Sequence, residues 1–150
     1  LRRTGPRADG RGASLVFIGS TAGRHGERGR VDYSLSKAGL YGLVRTLKNE
    51  IVALDPYGRV NMVEPGWTAT PRALRELEKP EVVRRVLRTM PVRQIARPVD
   101  IARAVLFLSS PTTRHVSGEV LTVAGGMEGR VQWEPGQIDA AAVQRRIDEE

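Results

Sequence analysis

A strand–helix–strand pattern near the start of the chain constrains the fold more than any other feature. Residues 14–18 form a short apolar run, which is typical of a buried strand. In the long segment that follows, apolar residues recur at the spacing of one helix face: Leu40, Leu43, Val44, Leu47, Ile51 and Leu54. Residues 59–63 form a second strand after a proline–glycine turn. Parallel strands need such a crossover, so the pattern predicts an α/β fold.

Composition places the chain among soluble globular proteins. Its 150 residues are 40% hydrophobic and 27% charged, which suits one domain with a real core. The absence of cysteine excludes disulfides and thiolate metal sites, and no metal is expected. No apolar run approaches the length of a membrane span, so no membrane partner is expected. A reducing, cytoplasmic setting fits these properties.

The chain carries a formal net charge of +7, which raises the question of nucleic-acid binding. The arginines are scattered along the sequence, and no aromatic interleaving or nucleic-acid motif accompanies them. The charge therefore does not predict a nucleic-acid partner.

Three polar side chains, Ser20, Tyr33 and Lys37, are the candidate catalytic residues. Ser20 follows the first strand, at the sheet edge where open α/β sheets hold their ligands. Tyr33 and Lys37 are four residues apart at the start of the long helix, so they share one helix face. A neighbouring ammonium favours the phenolate form, which makes Tyr33 a candidate general acid/base. Residues 21–32, which contain three glycines, are expected to form a mobile loop that lets the serine and the tyrosine converge.

Each of these residues also has a common structural interpretation. A tyrosine four residues before a lysine occurs on many helices, and a serine after a strand is often a turn residue. The catalytic hypothesis therefore depends on the surrounding motifs.

Those motifs resemble the short-chain dehydrogenase/reductase family, in its classical branch. The matching segments occur in the family's order: Gly-Ser-Thr-Ala-Gly at 19–23, Tyr-Ser-Leu-Ser-Lys-Ala-Gly at 33–39, Val-Asn-Met-Val-Glu-Pro-Gly at 60–66, Ala-Arg-Pro-Val-Asp-Ile-Ala at 96–102, Ser-Gly-Glu-Val-Leu-Thr-Val at 117–123 and a glycine pair at 125–126. The resemblance covers residues 14–126 and implies part of a doubly wound, Rossmann-like parallel sheet with flanking helices.

The resemblance implies an NAD(P)-dependent oxidoreductase that interconverts a ketone and a secondary alcohol. Tyr33 would exchange the proton at the substrate oxygen, Lys37 would hold ribose hydroxyls, and Ser20 would orient the substrate. The four-residue spacing of tyrosine and lysine favours this activity over that of the related enoyl reductases, which place their lysine further away. The family also implies a homo-oligomer formed through the helix at 33–54. Neither the substrate nor the choice between NAD and NADP can be deduced from these residues.

The segment from Pro65 to Thr70 resembles the family's nicotinamide-binding turn. The resemblance assigns Pro65, Gly66, Thr68 and Thr70 to cofactor binding, although a proline–glycine pair is also an ordinary turn signal. Glu64 departs from the family, which usually has a small residue there, and a carboxylate at this position could disturb cofactor binding. Residues 71–90 are predicted to form two short helices, broken at Pro80, over the substrate pocket. Their apolar residues fit an ordinary core face equally well.

The predicted organisation has three parts: a frayed segment at 1–13, the carboxyl-terminal part of the family domain at 14–126, and a polar tail at 127–150. The strand, glycine-rich turn and helix that receive the cofactor's pyrophosphate are absent before residue 15. The glycines at 23, 26 and 29 lack the close first pair of that fingerprint. The amino-terminal nucleotide-binding half is thus expected to be missing and this chain alone to be inactive. The alternative is a catalytically silent fragment that acts only in assembly or binding.

Overall fold

The computed structural model describes residues 5–129 and 133–148, in which three strands and six helices follow one another along the chain. Three short 3₁₀ turns lie between them, at Ile51–Ala53, Pro111–Thr113 and Pro135–Gln137. The strands and helices are β1 (Ser14–Ile18), α1 (Thr21–His25), α2 (Val31–Glu50), β2 (Arg59–Pro65), α3 (Pro71–Leu77), α4 (Pro80–Leu87), α5 (Pro98–Ser109), β3 (Val120–Val123) and α6 (Ala140–Asp148).

The strands form one sheet in the order β1-β2-β3, and the predicted α/β class is confirmed. β1 and β2 pair in parallel, from Ser14 opposite Arg59 to Ile18 opposite Val63. On the other side of β2, Gly118 N donates to Val60 O and Met62 N donates to Glu119 O, so β3 also runs parallel. β1 and β3 are therefore the two edge strands among the described strands. β1 is less buried than its apolar sequence predicted, because Leu15 and Ile18 are each about two-fifths exposed.

The chain packs as two compact units, each with its own core. The first unit consists of Leu1–Glu64 and Ala102–Leu121, and the second consists of Pro65–Ile101 and Thr122–Glu150. The first core is built from buried residues of α2, the turn after it and β2: Val44, Ile51, Val60 and Met62. The second core contains Leu77, Val83, Val86, Leu87, Met90, Ile95, Ile138, Ala140 and Val143.

In the first unit, the predicted apolar face of α2 and the turn after it is only partly confirmed: Leu40, Val44, Leu47 and Ile51 pack in the core, whereas Leu43 and Leu54 are exposed. α2 begins at Val31, two residues before the predicted start, and the 3₁₀ turn after it extends to Ala53. Asp55 then ends the helical segment, since its carboxylate accepts backbone N–H groups from Ala13 (2.9 Å), Tyr57 (3.2 Å) and Arg7 (3.3 Å). Burial raises the pKa of Asp55, but these three donors outweigh it and hold the pKa below its ordinary value.

A buried arginine joins β2 to the end of α5 in the same unit. The Arg59 guanidinium donates to the carbonyl oxygens of Leu108 (2.9 Å), Ser110 (3.3 Å) and Val116 (3.4 Å), and to Thr113 Oγ1 (3.2 Å). Burial lowers the pKa of Arg59 from its ordinary value. Charged donors near the carboxyl end of a helix satisfy its last carbonyl groups, so Arg59 anchors α5 on the sheet.

In the second unit, the two helices predicted between residues 71 and 90 are confirmed as α3 and α4, with the break at Pro80. Each helix has a proline in its first turn, which a helix tolerates because the first N–H groups have no intrahelical partner. Their buried residues belong to the second core, which supports the core-face interpretation. Helix α6 packs into the same core through Ala140 and Val143. No helix within the described ranges is long and apolar enough to cross a membrane.

Candidate active site

Ser20 lies two residues after β1, where it is the N-cap of α1. Its backbone is extended (φ −166°, ψ 146°), and its Oγ accepts a hydrogen bond from Ala22 N at 3.2 Å. Serine is among the preferred N-cap residues because its side chain satisfies an N–H group that has no intrahelical partner. The Oγ is thereby fixed as an acceptor toward the protein, and its own hydrogen is a separate donor.

The predicted mobile loop at 21–32 is wrong over its first five residues, which form α1. Thr21 and Ala22 are buried, and Gly23 lies directly against α2. A Cβ at Gly23 would lie 2.7 Å from the carbonyl carbon of Lys37 and 2.8 Å from the nitrogen of Ala38. The glycine was interpreted as a source of flexibility, but here it permits a close backbone contact.

Lys37 connects the end of β1 with Tyr33. Its Nζ donates to the carbonyl oxygen of Ile18 at 2.9 Å and lies 5.8 Å from the centroid of the Tyr33 ring. The Tyr33 side of this pair is open, since the residue is 39% exposed. The first unit thus holds a cationic group beside a phenol, tied to the carbonyl two residues before Ser20.

Besides Tyr33 and Lys37, four residues were assigned to cofactor binding, and these four lie in the second unit and are described within it. Gly66 N donates to Val123 O at 3.0 Å, and a Cβ at Gly66 would lie 2.8 Å from the Cβ of Ala124. The hydroxyl of Thr68 donates to Gly66 O at 3.2 Å. Thr70 is the N-cap of α3, and its Oγ1 accepts from Ala73 N at 3.3 Å. Pro65 is the last residue of β2. The turn is therefore held by hydrogen bonds within it and to β3, and Gly66 is required by the close approach of Ala124.

Two charged residues of the first unit were missed as a pair. Arg24 Nε lies 3.2 Å from Glu64 Oε1, and the Glu64 side chain is 0% exposed. The sequence did contain a signal, because a carboxylate inside a buried strand needs a partner. Glu64 was considered only as a possible disturbance of cofactor binding, whereas its charge is compensated inside the first unit. Among the described residues, no three His, Cys, Asp or Glu side chains come together as potential metal ligands.

Comparison with known proteins assigns the family. A family model described as Enoyl-(Acyl carrier protein) reductase matches residues 2–128. A solved structure of a short chain dehydrogenase/reductase family protein superposes with a TM-score of 0.66 at 40% sequence identity, covering 75% of this chain and 44% of the other. The chain belongs to the short-chain dehydrogenase/reductase family.

Similar members of this family include a reductase and a dehydrogenase. Acetoacetyl-CoA reductase from Acinetobacter sp. is 37% identical over 115 residues, which are 75% of this chain and 44% of that protein. The 7alpha-hydroxysteroid dehydrogenase of Escherichia coli is 36% identical over 77% of this chain and 44% of its own length. A 7alpha-hydroxysteroid dehydrogenase structure, complexed with NADH and 7-oxo glycochenodeoxycholic acid, superposes with a TM-score of 0.69 at 35% identity, covering 79% of this chain and 45% of the other. The chain thus spans less than half the length of these short-chain dehydrogenase/reductase relatives.

Proposed function

We propose that the full-length product of this gene is an NAD(P)-dependent oxidoreductase that interconverts a ketone and a secondary alcohol, with Tyr33 as the acid/base. The single observation that carries the proposal is the position of the Lys37 ammonium, beside the Tyr33 ring and bonded to Ile18 O. A general acid/base needs an open side for its substrate and a neighbour that stabilises its charged form. Tyr33 has both.

The donors of the first unit fit the ribose end of a nicotinamide nucleotide. An ammonium carries three N–H groups, and Lys37 uses one of them on the carbonyl oxygen of Ile18. The other two would hold the vicinal hydroxyls of the ribose. The same ammonium lies beside the ring of Tyr33, so one side chain would serve both cofactor binding and the proton-transfer site.

A bound nicotinamide would supply or accept the hydride at the substrate carbon, and the side chains of this chain would act on the substrate oxygen. In the reducing direction, Tyr33 donates its phenolic proton to that oxygen. Ser20 donates its hydroxyl hydrogen to the same oxygen, while its Oγ stays bonded to Ala22 N. Pro65, Gly66, Thr68 and Thr70 are proposed to line the nicotinamide side of the cofactor.

The substitution Tyr33→Phe tests this role in the full-length protein. The ring and its contacts remain but the proton donor is lost, so turnover should fall by roughly 10²–10⁴-fold. NADH or NADPH binding, followed by fluorescence titration, should stay within about twofold, because the ribose contacts are made by Lys37. Tyr57→Phe is the matched control, since Tyr57 is an exposed tyrosine of the same unit. Comparable turnover in Tyr33→Phe and Tyr57→Phe would remove Tyr33 from the mechanism.

A second function, assembly through α2, is favoured by the exposed side of that helix. Leu35 is 73% exposed, and no atom lies within 4 Å of a Cβ built at Gly39 or Gly42. Glycines inside a helix cost about 1 kcal/mol each relative to alanine, so an approaching second copy is a physical reason for them. We therefore propose a homo-oligomer through α2, and a catalytically silent protein would retain this role. Leu35→Lys should shift the mass measured by light scattering toward the monomer, whereas an unchanged mass would exclude this interface.

A further inference from the structure

Arg24 is the point at which α1 is tied to two other elements of the first unit. Its Nε lies 3.2 Å from Glu64 Oε1 on β2 and 3.4 Å from Tyr41 Oη on α2. The guanidinium carbon also lies 5.9 Å from the centroid of the Tyr41 ring. The side chain of Arg24 is 46% exposed, so this is a half-buried cation that reaches inward to a fully buried carboxylate.

The buried partner makes this contact different from an ordinary surface ion pair. Exposed pairs contribute little, because water screens both charges and competes for them. Glu64 is 0% exposed, and a nearby cation offsets part of the cost of taking a carboxylate out of water. Loss of Arg24 would remove this cation from a fully buried carboxylate, so the contact between them links α1 to the end of β2.

Helix α1 is too short to hold its own position. It has five residues, and an isolated helix of this length is not stable in water. Contacts with other elements hold it, among them the close approach of Gly23 to the backbone of α2 at Lys37 and the pair between Arg24 and Glu64. Its first turn is capped by Ser20, so a shift of α1 moves the serine hydroxyl directly.

We infer that Arg24 and Glu64 are a positioning pair that holds the Ser20 hydroxyl where it meets the substrate oxygen. This inference rests on the proposed function. It concerns residues that act through Ser20 without touching the substrate themselves. Misplacement of a reacting group by about 1 Å can cost up to about 10²-fold in rate, so a small movement of α1 is enough to matter.

The first test measures how firmly α1 is held in the full-length protein, and it does not depend on enzyme turnover. Arg24→Met is compared with Arg28→Met, because Arg28 is an exposed arginine in the loop between α1 and α2. Hydrogen exchange of the amides in residues 22–26 is followed by mass spectrometry, since Gly23 N and Gly26 N donate within α1 and its ends. We expect these amides to exchange at least about 10-fold faster in Arg24→Met than in wild type, and at the wild-type rate in Arg28→Met. Equal exchange in the two variants would overturn the inference.

The second test asks whether the pair acts through Ser20. Arg24→Met should lower kcat about 10-fold with KM changed less than about twofold, because an oriented donor is lost while binding remains. The same change made on a Ser20→Ala background should lower kcat no further. An equal loss of kcat on both backgrounds, or no loss on either, would overturn the inference.

Two further variants separate positioning from stability. Arg24→Lys keeps a cation near Glu64 and should recover part of kcat. The double variant Arg24→Met with Glu64→Gln also removes the buried charge that Arg24 faces, so its melting temperature should rise above that of Arg24→Met while kcat stays low. If kcat recovers together with the melting temperature, the pair is merely structural and the inference fails. A wild-type protein without oxidoreductase activity would refute the proposed function, whereas the exchange experiment would still decide whether the pair holds α1.

Discussion

The substitution Arg59→Met should destabilise the first unit by about 3 kcal/mol, a value that follows from the hydrogen bonds it removes. Methionine fills a similar volume but cannot donate to the four acceptors around the guanidinium. The two longest of these bonds, to Ser110 O at 3.3 Å and to Val116 O at 3.4 Å, lie at the upper end of hydrogen-bond distances and are left out. The calculation therefore counts only the bonds to Leu108 O (2.9 Å) and Thr113 Oγ1 (3.2 Å), at about 1.5 kcal/mol for each bond from a charged donor.

The assay is urea unfolding followed by circular dichroism, with the free energy of unfolding extrapolated to water. Arg59→Lys should recover about half of the loss, because an ammonium keeps the charge but not the fork of donors. Arg45→Met is the control, since Arg45 is exposed on α2, and it should stay within about 0.5 kcal/mol of the wild type. A loss below about 1 kcal/mol for Arg59→Met would refute the argument, because it would mean that the buried donors contribute no more than solvent does.

Three further predictions concern other contacts. Lys37→Ala should weaken NADH or NADPH binding and turnover together, because one ammonium serves the ribose and the phenolate; Lys48→Ala is the control, and loss of only one property would contradict the shared role. The lowered pKa of Asp55 means that its ionised form stabilises the fold above the carboxyl's unfolded pKa, about 4, and that this contribution is lost as pH falls through the folded pKa. Urea unfolding from pH 6 to pH 3 should therefore show a steeper loss of unfolding free energy for wild type than for Asp55→Asn, and parallel curves would contradict this. Trp133→Phe should cost about 1 kcal/mol in guanidinium unfolding, because it removes the 2.6 Å bond from Nε1 to Met90 O; an unchanged midpoint would show that this bond adds nothing.

Helix positions followed from local chemistry. The apolar spacing of α2, the proline that separates α3 from α4 and the glycine turn before β2 all act over a few residues, so a short window of sequence contains their cause. The family motifs likewise located Ser20, Tyr33 and Lys37 as candidates. The spacing of Tyr33 and Lys37 is itself a helical contact, and the structure places the ammonium beside the ring.

The interpretation of residues 21–25 as a loop was wrong because glycine has two opposite uses. A glycine between polar residues indicates a turn when only the sequence is considered. Gly23 instead lies against the backbone of α2, which is fifteen residues further along the chain. No local sequence pattern distinguishes a glycine that gives the backbone conformational freedom from one whose missing side chain permits a close backbone contact.

By itself, the sequence determined the class of fold, the order of the helices and strands other than α1, and three candidate catalytic side chains, because each depends on neighbours within one or two helical turns. Only the tertiary structure decided which charges meet. The pair of Arg24 with Glu64 spans forty residues, and the acceptors of Arg59 lie about fifty residues away from it. Burial selects such partners because a charged group removed from water needs an opposite charge or a hydrogen-bond partner. Only the folded chain brings such distant residues within reach of each other.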